Sequence, residues 1–173
     1  LEIAFMPLIV ETGSGLSNAE SFISVADADS YFAARGNAAW TGTDTVKEQA
    51  LRKATDFMQG RYINRWKGTR THETQALAWP RENVTDADGY ALQSSVIPKE
   101  VKYACAELAV RSLTASLLPD NLTPNIKSES VSIPGPISKS IAYTGAKTSA
   151  PAFLAVDRML IPYLVDTDTA ERG

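Results

Sequence analysis

PKEVKYACAELAVRSLTASLLPD, residues 98 to 120, decides the fold. Val101, Ala104, Cys105, Leu108, Ser112 and Ala115 recur at spacings of three and four and carry the stripe to Leu118, the period of a helix with one buried face. Pro98 suits the first helical position, where its missing N–H costs nothing, and Pro119-Asp120 breaks the pattern. Glu107 and Arg111 stand four apart on the outer face in the favourable order.

The same period appears upstream. From Asp44, the residues Ala50, Leu51, Ala54, Phe57, Met58 and Tyr62 form one stripe, with Glu48 and Arg52 four apart on the opposite side. This predicts a helix ending between Gly60 and Ile63. A shorter one is expected from Ser24, an N-cap whose third position is Asp27, through Val25, Ala28, Tyr31 and Phe32 to a stop at Gly36. Before it, Leu8 to Val10 and the turn Thr12-Gly13-Ser14-Gly15 predict an extended N-terminal segment over residues 1–23. The helical core then covers 24–118.

Between the second and third helices lies RWKGTRTHETQALAWPREN, residues 65–83, which holds two of the three tryptophans and the single histidine. Trp79-Pro80 disfavours helix at Trp79, so an ordered loop is expected. Arginine beside tryptophan is the chemistry of a single-strand binder, guanidinium on phosphate and indole on base, with Arg65, Trp66, Lys67 and Arg70 as candidates. Residues 61–81 carry a net +4, yet the whole chain is −3. A protein that wraps nucleic acid is usually basic throughout. In a loop, Trp66 and Trp79 are more simply core anchors, because each ring can bury roughly 150–250 Å².

Downstream, NIKSESVSIPGPISKSIAY, residues 125–143, interleaves Ile126, Val131, Ile133, Ile137 and Ile141 with serines and lysines around Pro134-Gly135-Pro136. Two strands folding back at a turn are expected, within an arm over 119–150. A hairpin this polar does not hold itself up in water, so it needs another sheet edge. The competing reading is a loop. Residues 151–173 then give a fourth helix opened by Pro151, with Phe153, Val156, Leu160 and Leu164 on one side and Pro162 ending it.

Recognisable chemistry is sparse. One cysteine permits no intrachain disulfide, and Cys105 sits in an apolar stripe where a thiol acts as a small hydrophobe. One histidine and one cysteine exclude a metal centre built on several such ligands. No phosphate-cradling glycine motif is present, and Thr12 to Gly15 is a turn. Asp86 and Asp88 before Gly89 match only part of a calcium loop. His72 and Glu73 could be written as an acid/base pair, but no nucleophile or oxyanion donor is recognisable beside them. No run is long enough to span a bilayer, and the start lacks the basic region and cleavage site of a signal peptide. The chain therefore reads as soluble, without catalytic residues, metal or cofactor.

MPLIVETGSGL, AESFISVADADSYFAARGNAAW, ALRKATDFMQGRYINRWKGTRT, QALAWPREN with DADGY, and IPKEVKYACAELAVRSL stand in a fixed order. This order resembles the head-tail connector (adaptor) proteins of tailed bacteriophages, a group often labelled DnaT-like single-stranded-DNA-binding proteins. The resemblance runs from about Met6 to Val165, and Met6 matches the group's usual start. It implies a mainly α fold, a small four-helix bundle with a long ordered loop and an extended hairpin-like arm that pairs between subunits. It also implies a ring, usually of twelve subunits, beneath the portal protein at the head-tail interface of the virion, with host cytoplasm as the site before assembly. Implied partners are the chain itself, the portal, a tail-side stopper, nozzle or tail-terminator protein, and packaged double-stranded DNA in passing; no membrane is implied.

On that resemblance the subunit-interface arm comprises Ile126, Lys127, Glu129, Val131, Ile133, Ile137, Ile141 and Tyr143. Phe153, Val156, Arg158, Leu160, Tyr163 and Leu164 are candidates for docking on the portal, the alternative being that this stripe closes the chain's own bundle. Trp66, Trp79, Leu108 and Cys105 are structural anchors. The other role open to Arg65, Trp66, Lys67 and Arg70 is a single-stranded-DNA surface.

Overall fold

A computed structural model describes residues 6–118, 126–132, 138–143 and 153–165. The chain is mainly helical: α1 (Val25–Ala33), α2 (Asp44–Arg61), α3 (Lys99–Ser112) and α4 (Leu154–Leu160), the last running into a 3-10 turn, Ile161–Tyr163. Strands β1 (Thr69–Arg70) and β2 (Arg81–Glu82) form a minimal antiparallel ladder, and β3 (Ile126–Ser132) pairs antiparallel with β4 (Ser138–Tyr143). Two compact units result. Leu1–Leu117 and Phe153–Gly173 make one, and Leu118–Ala152 make the other, so the C-terminal helix belongs with the helical core.

α3 is the spine of the core. Val101, Ala104, Cys105, Ala106, Leu108, Ala109 and Val110 are buried, facing Leu51, Ala54 and Met58 of α2 and Val156 and Leu160 of α4 within one apolar cluster. Pro98 is the N-cap rather than the first helical residue, its carbonyl accepting from Val101 and Lys102 N–H. The helix stops at Ser112, six residues before Leu118, and Ala115 is exposed. At the early stop, Ser112 Oγ donates to the Ala109 carbonyl at 2.7 Å, and Leu113 N–H bonds the Val110 carbonyl three residues back, tightening the last turn.

The Ser24 cap on α1 is as the sequence predicts, and Thr43 supplies a second cap on α2. Ser24 Oγ accepts from Asp27 N–H, and Thr43 Oγ1 from Val46 N–H. On the charged side of α2, Glu48 and Arg52 pair at 3.6 Å as their spacing predicts, but Glu48 is buried. Arg52 reaches past it to Glu20 at 2.9 Å and to the Met6 carbonyl, pinning the N-terminal segment to α2. The hydrogen bond from Arg52 holds the Glu20 carboxyl below its ordinary pKa. Glu107 and Arg111 do pair at 2.8 Å, and Glu107 also accepts from Tyr31 OH.

The N-terminal turn conceals a residue that the sequence reading passed over. Glu11 is 2% exposed, and its carboxylate accepts from the N–H groups of Gly13, Gly15 and Leu16 at 2.8–2.9 Å. The glycines are required. Both have positive φ, and a Cβ at Gly13 would lie 1.9 Å from the Ser95 carbonyl oxygen.

α4 begins at Leu154, not at Pro151, which lies outside the described residues. Pro162 cannot donate the next helical hydrogen bond, so the helix tightens into the 3-10 turn and Leu164 becomes extended. In the second unit, β3 and β4 pair in register from Ser128↔Ala142 to Ser132↔Ser138, with an irregularity between Ile126 and Ser128. Glu129 is opposite Ile141 and Val131 opposite Lys139. Ile133 and Ile137 lie outside the described residues.

Candidate functional site

The stretch after α2 is where sequence placed both an anchor and a nucleic-acid surface. Four rings interlock there edge to face: Tyr62 with Trp66 (5.5 Å between centroids), Trp66 with Trp79 (5.9 Å) and Trp79 with Tyr163 (5.8 Å). Trp66 is 7% exposed and Trp79 fully buried. Neither indole N–H has a hydrogen-bond acceptor, so both rings are held by apolar packing. This column joins α2, the loop and the 3-10 turn.

The backbone follows the rings. Lys67 N–H donates to the Tyr163 carbonyl at 2.9 Å, Val165 N–H donates to that of Arg65 at 2.7 Å, and Trp66 bridges Leu164. Lys67 Nζ caps the Pro162 carbonyl at 2.8 Å. Beside them, Arg61 clasps Asp157 at 2.9 Å and Tyr62 OH donates to the same carboxylate at 2.6 Å. Burial alone would raise the Asp157 pKa; the hydrogen bonds from Arg61 and Tyr62 outweigh it and hold the carboxyl below its usual range. Burial first, then the bond to Asp157, pushes the Tyr62 phenol well above its ordinary value.

The loop itself is closed by Gln75, another residue for which the sequence offered no signal. It is buried; its amide donates to the Leu77 and Pro80 carbonyls, and its oxygen accepts from Thr71 Oγ1 and His72 N–H. Arg81 donates to the carbonyls of Lys67, Gly68 and Ala78 at 2.6–3.1 Å, and Arg70 to that of Gln75. These arginines fold the loop. They also face an open cleft of about 710 Å³ bordered by Gln59, Ile63, Asn64 and the edge of Trp66.

Of the candidates for single-strand binding, Trp66 is therefore buried as an anchor, Arg65 and Lys67 are half-buried, and Arg70 is exposed. The buried indole offers no stacking face. Cys105 is fully buried beside Thr55, and burial pushes its thiol up to about 11, which makes it inert as a nucleophile. Leu108 is buried with it. His72 and Glu73 are exposed, and among the described residues no group of three metal-ligating side chains occurs.

The stripe named for portal docking is turned inward. Val156, Leu160, Tyr163 and Leu164 are buried and Phe153 packs edge-on against Phe57 at 5.4 Å, because α4 closes the chain's own bundle over α2 and α3. Tyr163 OH donates to Glu100 at 2.8 Å. Arg158, the sixth docking candidate, is exposed, and it shares the outward face of this segment with Leu154, Ile161 and Val165. The arm residues Ile126, Lys127, Glu129, Val131, Ile141 and Tyr143 all lie in β3 or β4.

A second basic and aromatic cluster escaped the sequence reading, since its members are far apart in the chain. Tyr31 and Tyr103 lie 4.4 Å apart, and the Arg35 guanidinium sits 3.7 Å over the Tyr31 ring. With Lys99 and Lys102 they border a shallow cleft of about 400 Å³. Tyr103 is half-buried and Arg35 and Lys99 exposed, which leaves charge and ring available together.

No described helix is long and apolar enough to cross a membrane. No curated protein and no solved structure matches the chain. A family model does match, over residues 6–173, under the description "Putative DnaT-like ssDNA binding protein". With nearly the whole length covered, the chain belongs to that family.

Proposed function

We propose that this chain is a structural adaptor of a tailed-phage neck, a ring subunit that docks beneath the portal and joins the DNA-filled head to the tail. The observation that carries the reading is the division of labour in the chain. One unit is a closed helical core in which the tryptophans and most loop cations are already engaged; the other, in its described residues, presents two paired strands. A two-stranded sheet is marginal in water, so β3–β4 gains most by adding to a neighbour's edge, and a closed ring leaves no edge unpaired. The ordered resemblance to adaptor proteins supports the same role, with no catalytic group, metal or cofactor. The outward face of α4, Leu154, Arg158, Ile161 and Val165, replaces the inward stripe as the surface offered to the portal.

The test is electron microscopy of the protein mixed with the portal of its phage. A ring of density at the portal's narrow end is expected. No added density at micromolar concentrations of both proteins would reject the adaptor role.

A second reading is favoured by the family description and by the Tyr31–Tyr103 cluster: single-stranded-DNA binding through Arg35, Lys99, Lys102 and the Tyr103 ring. It predicts salt-sensitive oligonucleotide binding, with the log-log salt slope falling by about 0.7 for each phosphate contact removed. Lys102→Ala and Tyr103→Ala would weaken such binding, whereas Arg65→Ala would not.

A further inference from the structure

The register of β1 and β2 sets Arg70 directly opposite Arg81, where like charges are destabilising. Among the described residues neither guanidinium forms an ion pair. Burial and the nearby Arg70 charge both lower the Arg81 pKa, as expected of cations without a counter-charge. Two positive charges thus border the 710 Å³ cleft, whose apolar wall includes Leu77, Ala78 and Ile63, the last 65% exposed.

A few residues on, the chain makes a tight hairpin. Leu92 N–H donates to the Val84 carbonyl, Thr85 bridges Ala91, and Asp86 N–H donates to the Tyr90 carbonyl. At its tip, one oxygen of Asp86 accepts from Asp88 and Tyr90 N–H. Neither Asp86 nor Asp88 is in an ion pair among the described residues, and Tyr90 is 73% exposed. The tip offers two negative charges and an aromatic ring; the cleft offers two positive charges and an apolar wall. The residues bordering the tip, among them Pro98 and Lys99, share none with the cleft.

The geometry points to a head-to-tail contact in which the Arg70–Arg81 cleft of one copy receives the Asp86–Tyr90 tip of a second copy. This deepens the ring reading and rests on it for the choice of a second copy as occupant. The chain carries both complementary surfaces at separate places, which is what a heterologous contact requires. Nucleic acid fits the cleft less well, because among the described residues the only aromatic ring at its border, Trp66, is 7% exposed.

A charge swap tests it. Arg81 holds three carbonyls and Asp86 two N–H groups, so both stay untouched; Arg70 holds one carbonyl, that of Gln75, and the variants are Arg70→Glu, Asp88→Arg and the double variant, each checked for helical circular dichroism. Sedimentation of the full chain is followed up to about 1 mM, the range of weak association. Self-association that weakens with salt is expected for the wild type. A loss of at least about tenfold is expected for each single variant, with recovery in the double variant. If Arg70→Glu misfolds, Arg70→Gln serves the same arm. A wild type monomeric throughout, single variants that associate like the wild type, or a double variant without recovery would each overturn the contact. A ring that still forms on the portal with Arg70→Glu would overturn it too, while leaving the adaptor reading in place.

Discussion

Replacing Trp66 by alanine separates the anchor from the DNA platform. The ring is 93% removed from solvent and touches Tyr62 and Trp79 edge to face, so truncation leaves a cavity between α2, the loop and the 3-10 turn. Large-to-small changes of this kind cost about 3–5 kcal/mol. For a chain of this size each kcal/mol moves Tm by about 2–4 °C, so a fall of roughly 6–20 °C is expected. Urea or thermal denaturation followed by circular dichroism reads it, with Trp66→Phe as the control that keeps a ring and loses much less. Unchanged Tm, together with weakened oligonucleotide binding, would refute the argument, because it would mean that the indole is spent on a ligand and not on the core.

Glu11→Ala strips the acceptor from three N–H groups in a buried turn; a loss of about 3 kcal/mol or more in urea unfolding is expected, and a change below 1 kcal/mol would show that water replaces the carboxylate. Asp157→Ala should cost about 2–3 kcal/mol, most of it from the Tyr62 hydroxyl, since the Arg61 pair is partly exposed and screened; hydrogen exchange should speed up in α4 before α3. The pH profile has a sign at each end. Glu20, Asp29 and Asp157 have lowered folded pKa values, so the stability they give is present above about pH 4 and is lost as the pH falls through those values. Cys105 and Tyr62 are raised, so their stability is present below about pH 8.5 and is lost as the pH climbs through the folded values; a denaturation midpoint equal at pH 8 and pH 10.5 would contradict this.

Helices were legible because the burial period leaves a direct trace: the core buries most of the α2 stripe and Val101, Ala104, Cys105 and Leu108 of the α3 stripe, though it also buries Ala106, Ala109 and Val110 and leaves Ala115 exposed. What escaped is chemistry that polar residues do with backbone. Glu11, Gln75 and Arg81 read as surface residues, yet each satisfies loop N–H or carbonyl groups, a role set by loop shape and not by any pattern. The stripe on α4 was visible but not its destination, since an apolar helix face reads the same whether it closes its own core or another protein's. The Tyr31, Arg35 and Tyr103 cluster needed α1 and α3 to be brought together before it existed.

The position of the hairpin between α3 and α4 has an entropic consequence. The chain leaves the helical unit after Leu117 and re-enters it at Phe153, so α4 can dock only when the ends of a 35-residue excursion are brought together. Pairing Ile126 with Tyr143 roughly halves the length that must be closed, which lowers that cost by about 0.6 kcal/mol. Strand pairing in one unit and helix docking in the other thus favour each other through loop closure. By linkage, a partner that binds only the paired strands tightens the hold of α4 on its bundle by up to that amount.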